Sequence, residues 1–329
     1  MARVFASSAR PTTPWRAKQA DSDYGVTAEP SWREVDWPSH LHQVEIHGST
    51  VNYVDIGSGD GEPVVLVHGL GGQWQNWLEN IPRAAQERRV VALDLPGFGR
   101  SAMPRGEITI SNYARCVEAL CQHLGLGRVA VVGNSMGGFV ASEVAIRYPE
   151  RVERLALVSA AGISSANVAR APALLAGRVA AAVTAYGAAR HRQMARRPIT
   201  RHLALAIVVR HPSRLAADLA WEGLIKGAGK PGFQEALRAN LVYDFRDRLP
   251  EIGCPTLIVW GEDDSIISVR DAAEYERLIP DSRKLVMEDT GHVPMVERAV
   301  AFNDVLIDFL AEVGPAETKE PVEGESQAA

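Results

Sequence analysis

Residues 129–152, VAVVGNSMGGFVASEVAIRYPERV, hold the pattern that decides the fold. An apolar run, VAVVG, passes through NSM directly into a segment with helical spacing, and Gly133 and Gly137 stand two residues either side of Ser135. A sharp strand-to-helix turn strains the backbone at its centre and tolerates only small neighbours. The pattern therefore predicts that Ser135 presents its hydroxyl at a helix N-terminus, as a candidate nucleophile.

The rest of the chain supplies further β-rich runs around this turn. Together with VAVVG there are eight, at 43–47, 51–56, 64–68, 90–94, 129–133, 155–160, 256–260 and 284–288. The inner runs are continuously apolar, as strands are when helices cover both faces of a parallel sheet. Helical spacing follows at 110–124, 137–148 and 297–312. This alternation predicts an α/β fold with an open, doubly wound sheet, whose first two strands form an antiparallel hairpin.

Three parts of the chain do not follow the alternation. Residues 163–250 are rich in Ala, Leu and Arg, and they predict three or four helices that form a cap on a core of residues 41–162 and 251–314. Residues 1–40 predict a flexible or loosely docked arm, with Trp32 and Trp37 as candidates to anchor its end. Residues 315–329 are acidic and predict a disordered tail.

A glycine-rich turn, HGLGG, follows the third run at residues 68–72. Such a turn can bring a backbone N–H close to the serine, where it would stabilise an oxyanion together with the N–H of the residue after the nucleophile. We expect these donors to be Leu70 and Met136. His68 is interpreted as a brace for the turn.

A serine hydroxyl needs a general base, and His292 is the candidate. It follows the last run, at the sheet edge where catalytic groups gather. The acid that orients it should follow another strand, and the seventh run ends in Gly261-Glu262-Asp263-Asp264. We assign Asp264, with Asp263 as the competitor. Asp94 precedes the serine in the chain and is interpreted as a residue that stabilises its loop.

These motifs, HGLGG, DLPGFGRS, GNSMGG, WGEDD and GHVPMVE, resemble the α/β-hydrolase superfamily in kind and order. The resemblance covers about residues 43–312. It implies an eight-stranded, mostly parallel sheet with a helical lid and a cofactor-free acyl-enzyme mechanism. In the family pattern the acid stands four residues after the tryptophan of WGxxD, which favours Asp264. Ser268 stands where the family usually has a proline.

Within the superfamily, Ser135 argues against the branches that use an aspartate nucleophile, the haloalkane dehalogenases and epoxide hydrolases. GNSMGG is similar to the elbow of the meta-cleavage-product hydrolases, which break carbon–carbon bonds. Those enzymes usually have a longer glycine-proline turn than HGLGGQWQNW and often carry tryptophan where this chain has Val293. The departures favour a carboxylesterase or lipase-like enzyme acting on an apolar ester. A carbon–carbon hydrolase, a cofactor-free perhydrolase and a binding protein on a hydrolase scaffold are the alternatives.

Composition restricts the partners and the compartment. A formal net charge of −5 gives no argument for nucleic acid. Three cysteines without metal-like spacing predict a reducing compartment and no zinc site. The N-terminus has no apolar h-region and no apolar stretch is long enough to span a membrane, so we expect a cytoplasmic protein. The sequence does not indicate an oligomeric state.

The predicted cap has an uneven charge distribution. Between Arg170 and Lys230 the chain has nine arginines and two lysines, against only Asp218 and Glu222. Two interpretations remain open: a solvated outer face, or a basic surface that attracts anionic substrates or a lipid surface.

Overall fold

The computed structural model describes residues 11–13, 20–164, 195–227 and 229–312. Its centre is one eight-stranded sheet with the strand order β1-β2-β4-β3-β5-β6-β7-β8. The strands are β1 Leu41–Ile46, β2 Ser49–Ile56, β3 Gly61–Val67, β4 Arg88–Leu93, β5 Val129–Asn134, β6 Val152–Val158, β7 Thr256–Gly261 and β8 Ser282–Met287. Each overlaps one of the eight predicted runs, so the predicted α/β sheet is confirmed.

Only β2 runs against the other strands. It pairs antiparallel with β1 on one side and with β4 on the other, and the remaining neighbours are parallel. The predicted hairpin at the sheet edge is therefore present. Because β3 to β8 share one direction, their carboxyl ends meet at a single edge, where connecting loops can bring distant residues together.

Helices flank the sheet on both faces. They are α1 Trp37–His40, α2 Ile81–Ala84, α3 Ile110–His123, α4 Met136–Arg147, α5 Pro198–Leu205, α6 Ala217–Leu219, α7 Phe233–Val242, α8 Arg270–Leu278, α9 Pro294–Glu297 and α10 Ala299–Ala311. A π-helix, Ala220–Ile225, continues α6, and 3₁₀ turns occur at Trp32–Glu34, Trp74–Trp77, Pro212–Arg214 and Arg246–Glu251. The helix predicted to begin at 297 is instead interrupted at Arg298, which lies between α9 and α10.

Two apolar layers hold the helices to the sheet. One joins α3, α4 and α8 to one face, through residues such as Val117, Phe139 and Tyr275. The other joins α2 and α10 to the opposite face, through residues such as Ile81 and Phe302. This is the packing that continuously apolar inner strands require, since both of their faces are removed from water.

The N-terminal segment 20–40 differs from the expected loose docking. Trp32 is buried, and its Nε1 donates to Oε1 of Glu79 at 3.0 Å. The backbone N–H of Ala28 donates to the other oxygen of the same carboxylate at 2.7 Å. Trp37 donates to the carbonyl of Trp32 at 2.9 Å. The sequence signal for docking was present in the tryptophans, but the buried acid that receives the segment lies far along the chain.

The chain between β6 and β7, here called the insert, carries α5, α6, the π-helix and α7 in its described parts, residues 195–227 and 229–255. It contains no strand in those parts, as predicted for residues 163–250. Residues 165–194 of the predicted cap and the predicted tail at 315–329 lie outside the described residues. Among the described helices, none combines the length and the apolar character needed to cross a membrane.

Candidate active site

Four loops at the carboxyl edge of the sheet carry the residues singled out from the sequence. HGLGG follows β3, Ser135 follows β5, Asp264 lies three residues beyond β7, and His292 lies in the loop after β8. Strands β3, β5, β6, β7 and β8 are successive neighbours in the sheet, so these loops lie side by side.

Ser135 stands between β5 and α4 with an unusual backbone, φ 56° and ψ −120°. Its N–H donates to the carbonyl of Val158 at 2.9 Å. Its own carbonyl accepts from Gly138 at 3.0 Å and from Ala161 at 2.9 Å. A non-glycine residue keeps such a conformation only where its surroundings determine it, and these bonds to β6 and α4 do so.

The two glycines around Ser135 are required by close backbone contacts. A Cβ on Gly133 would lie 2.2 Å from the carbonyl oxygen of Gly137, and a Cβ on Gly137 would lie 2.2 Å from that of Val67. No side chain can occupy either position without moving the backbone. The strand, turn and helix can therefore meet only because both positions are glycine.

Asp264 and His292 are in direct contact. Oδ2 of Asp264 lies 2.7 Å from Nδ1 of His292, and Oδ1 accepts the N–H groups of Ile266 at 2.8 Å and Ile267 at 3.0 Å. Asp264 is fully buried, and His292 is 4% exposed. Because an ionised carboxylate can only accept, Nδ1 of the imidazole carries the proton and Nε2 of a neutral ring is left with a lone pair.

Asp263, the competing acid, points elsewhere. Its carboxylate pairs with Arg210 of the insert at 3.2 Å. Burial raises the pKa of Asp263, and the charge of Arg210 acts against that rise. The structure thus brings Asp264, and not Asp263, to His292.

Asn134, next to Ser135, links the elbow to the histidine loop. Its side-chain amide donates to the carbonyl of Val158 at 3.1 Å and to the carbonyl of His292 at 3.2 Å. Asn134 is buried, so these bonds are shielded from water. This role of Asn134 was not predicted, because an asparagine in a turn carries no signal for a partner 158 residues away.

The HGLGG turn lies against the serine. A Cβ added at Gly69 would lie 3.0 Å from Cβ of Ser135, so Leu70 follows at the position where the backbone passes the nucleophile. Met136 is the first residue of α4. The first N–H groups of a helix have no acceptor within the helix, which leaves them available to a developing negative charge.

His68 is fully buried and bridges two loops, as its interpretation as a brace requires. Its Nδ1 lies 2.7 Å from the carbonyl of Gly69, and its Nε2 accepts the N–H of Leu95 at 3.0 Å. Burial lowers the pKa of His68, which favours the neutral ring that this pairing needs.

Asp94 has the loop-stabilising position inferred for it. It is fully buried, and its carboxylate accepts from the N–H of Trp74 at 2.8 Å, the amide of Asn52 at 2.9 Å and the N–H of Arg100 at 2.8 Å. These three bonds join Asp94 to β2 and to the loops after β3 and β4, so Asp94 supports the turn after β3 from outside the Asp264–His292 pair.

The insert is seated on the carboxyl edge at three places. The N–H of His292 donates to the carbonyl of Val208 at 2.9 Å. The side chain of Gln73 donates to the carbonyl of Glu222 at 3.0 Å, and the N–H of Gly232 donates to the carbonyl of Gly97 at 3.1 Å. Ser135 is buried, with 8% of its surface exposed.

One buried carboxylate, that of Glu297, organises the histidine loop. It accepts the N–H groups of Gly291 at 3.0 Å and Val293 at 3.1 Å, on either side of His292. It also accepts the N–H of Arg210 in the insert at 2.8 Å and the phenolic hydroxyl of Tyr24. Burial raises the pKa of the Glu297 carboxyl, and the four donors act against that rise. This role of Glu297 was not predicted from the sequence, although a lone acid in the apolar run VPMVE is a signal of a buried, paired carboxylate.

Replacing Glu297 by alanine is expected to lower the free energy of unfolding by about 4 kcal/mol, because several buried donors lose their acceptor together. Denaturant unfolding followed by circular dichroism measures the change. Asp304→Ala, which removes an exposed acid from α10, is the control and should change stability by less than about 0.5 kcal/mol. Equal stability of the two variants would show that Glu297 does not hold the loop.

In chemical terms, the site offers a hydroxyl at a helix N-terminus and a histidine whose Nε2 is free to take a proton. Among the described residues, no group of three or more His, Cys, Asp or Glu side chains is arranged to hold a metal ion.

Comparison with known proteins gives a consistent result. The family description "alpha/beta hydrolase fold" matches residues 62–299. The dihydrolipoyllysine-residue acetyltransferase component of the acetoin cleaving system of Pseudomonas putida is 34% identical over 82% of this chain and 68% of its own length. A 2-hydroxy-6-oxo-2,4-heptadienoate hydrolase of Pseudomonas putida is 30% identical over 80% of this chain and 94% of its own length.

Among solved structures, the enol-lactonase from Burkholderia xenovorans LB400 is similar with a TM-score of 0.67 and 25% sequence identity. The similarity covers 82% of this chain and all of that enzyme, 100%. The likeness therefore extends over the sheet and the loops at its carboxyl edge, beyond a single motif.

Proposed function

The chain belongs to the α/β-hydrolase fold family, and from this premise we propose that it is a serine hydrolase that cleaves carboxylic esters through an acyl-enzyme. Ser135 is the nucleophile, His292 the general base and acid, and Asp264 the residue that orients His292. The backbone N–H groups of Leu70 and Met136 form the oxyanion hole. The substrate is a small, apolar ester.

The reaction has two steps, formation of the acyl-enzyme and its hydrolysis. Oγ of Ser135 attacks the acyl carbonyl while Nε2 of His292 takes its proton, and the proton then passes to the leaving alcohol as the ester C–O bond breaks. Water enters, gives a proton to the same Nε2 and attacks the acyl-enzyme. The acid leaves, and Ser135 recovers its proton from His292.

The observation that carries the proposal is the 2.7 Å contact between Oδ2 of Asp264 and Nδ1 of His292. The loop of His292 is joined through the side chain of Asn134 to the turn that holds Ser135. A histidine fixed with its proton on Nδ1 leaves Nε2 as the base that an unactivated hydroxyl needs. The enol-lactonase supports ester chemistry in particular, because a lactone is a cyclic ester.

Carbon–carbon hydrolysis of a vinylogous diketone is the second candidate. It is supported by the 30% identity to the heptadienoate hydrolase over 94% of that enzyme's length. The same serine, histidine and oxyanion donors can act on a ketone carbonyl. The short HGLGGQWQNW turn and Val293 after His292 favour the ester.

Labelling with a fluorophosphonate, followed by peptide mapping, tests the nucleophile. We expect one covalent adduct, on Ser135, and folded protein without that adduct would contradict the acyl-enzyme proposal. A panel of p-nitrophenyl esters beside a meta-cleavage dienone then separates the two candidates. If Ser135 is labelled but the dienone is turned over faster than the esters, Ser135 remains the nucleophile and the substrate is the diketone instead of the ester.

We further propose a cap, a cofactor-free reaction and a cytoplasmic location, on the basis of the sequence and the family together. Residues 163–250 act as a cap over the site, a role supported by the contacts of Val208, Glu222 and Gly232 with the loops around it. The reaction uses no cofactor, and the protein works in the cytoplasm.

A further inference from the structure

Helix α5 and the turn after it expose a row of large apolar side chains. Ile199, Leu203 and Ile207 are 64%, 72% and 48% exposed, and Leu203 and Ile199 are the two most exposed large apolar residues of the described chain. A spacing of four residues places Ile199 and Leu203 on one side of α5, and Ile207 continues this spacing in the turn after the helix. We call these three residues the apolar ridge. An exposed row of this kind costs solubility and marks a surface that meets an apolar partner.

The arginines of this region divide into two groups. Arg201 and Arg210 point inward: Arg201 donates to the carbonyls of Pro212 at 2.9 Å and Ser213 at 3.0 Å, and Arg210 pairs with Asp289 at 3.0 Å. Their charges are committed to holding the insert together and to the histidine loop, so they are unavailable to a partner.

Arg196, Arg197 and Arg214 are exposed, and no carboxylate of the described residues forms an ion pair with them. The first two lead directly into α5. Arg214 lies in the 3₁₀ turn that Arg201 joins to α5. We call these three residues the basic flank. Arg196 and Arg197 therefore lie at the start of the helix that carries Ile199 and Leu203.

The sequence around this surface has a strong charge bias. In the described residues 195–214 there are five arginines and no aspartate or glutamate. The whole chain has a formal net charge of −5, so the positive charge is local and is not a property of the composition. A local basic surface attracts anionic partners at short range.

We propose that the apolar ridge and the basic flank dock the protein onto an anionic lipid surface. A short amphipathic helix lies in a membrane interface with its apolar side chains among the acyl chains and its arginines at the headgroups. The apolar ridge supplies the apolar side chains of this pattern, and the basic flank supplies its arginines. An acidic protein would satisfy the arginines but leave three large apolar side chains without an apolar surface.

The surface adjoins the candidate site. Ile207 precedes Val208, whose carbonyl accepts the N–H of His292. Docking would therefore bring the insert, and the loop that carries His292, to the lipid side of the molecule. The proposal does not depend on the reaction that the site performs.

Co-sedimentation of the full chain with vesicles tests the proposal, using ether-linked lipids that an esterase does not cleave. We expect binding to vesicles that contain phosphatidylglycerol, weaker binding to pure phosphatidylcholine, and loss of binding in high salt. Each arginine near an anionic membrane raises the binding constant about fivefold. The double variant Arg196→Glu/Arg197→Glu should therefore weaken vesicle binding by at least about 25-fold. Leu203→Ser should weaken it by about tenfold, because less apolar area is buried.

Two matched controls change the same residue types elsewhere. Val300→Ser alters an apolar side chain that is 43% exposed on α10, and Arg115→Glu alters an exposed arginine on α3. Both should bind as the unchanged protein does. Absence of binding to anionic vesicles, or equal losses in control and ridge variants, would overturn the proposal. So would a self-association that Leu203→Ser abolishes without any vesicle binding, because the ridge would then be a contact between two copies. A large loss of stability in Leu203→Ser would overturn it too, since the ridge would then be covered within the chain.

Discussion

With Ser135 replaced by alanine, kcat for an activated ester is expected to fall by about 10⁶-fold. The hydroxyl is the group that forms the acyl-enzyme, and no neighbouring side chain can replace it, since the flanking positions are glycine, asparagine and methionine. Steady-state hydrolysis of p-nitrophenyl acetate measures the loss. KM should change little, because alanine removes one oxygen and leaves the surrounding backbone bonds of Ser135 in place.

Ser142→Ala is the matched control for this experiment. Ser142 is also a buried serine of α4, but its hydroxyl donates to the carbonyl of Gly138 at 3.0 Å within the helix. Its loss should change kcat by less than about threefold, since a bond of this kind contributes only modestly. A Ser135→Ala variant that kept one hundredth or more of the activity would refute the role of Ser135.

Replacing Asp264 by asparagine is expected to lower kcat/KM by about 10⁴-fold while the protein stays folded. Oδ1 of Asp264 accepts two N–H groups, of Ile266 and Ile267, and an asparagine can keep those bonds only through its own oxygen. Its NH₂ group must then face Nδ1 of His292. The imidazole would have to accept there and carry its proton on Nε2, the wrong tautomer for a base.

Asp263→Asn tests the same change at the competing acid. Asp263 pairs with Arg210 in a partly exposed position, so its loss should lower kcat/KM by less than about fivefold. Thermal unfolding of both variants separates lost chemistry from lost stability. A larger loss of activity in Asp263→Asn than in Asp264→Asn would reverse the assignment of the acid.

The sheet and the positions of the candidate triad could be predicted because each depends on local sequence. Continuously apolar runs such as VVLV and VAVV are short and rich in β-branched valine, which favours buried strands over helices. Residues that follow parallel strands meet at one edge regardless of their distance along the chain. The resemblance to the family pattern WGxxD, in which the acid stands four residues after the tryptophan, favoured Asp264 over Asp263. The sheet itself needed only a period and an order of elements, which a single sequence contains.

The network around His292 could not be predicted, because its partners are far apart in the chain and have no shared pattern. Tyr24, Arg210 and Glu297 meet only once the N-terminal segment, the insert and α9 are folded. A polar N-terminal segment was expected to dock loosely, since its average composition conceals two anchoring groups besides Trp32, which are Tyr24 and Ala28. Composition averages over residues, whereas docking depends on individual buried contacts.

The contact of Tyr24 with Glu297 has a practical consequence for anyone who shortens this chain. The family match begins at residue 62, so a trimmed protein that starts there or at β1 would look complete by homology. It would lack the phenol that bonds Glu297, the backbone N–H of Gly25 that bonds the carbonyl of the same residue at 2.8 Å, and the Asp21 carboxylate that pairs with Arg298 at 2.9 Å. Residues 20–40 therefore help to hold the loop that carries His292, and their removal is expected to leave a folded core in which His292 is poorly ordered.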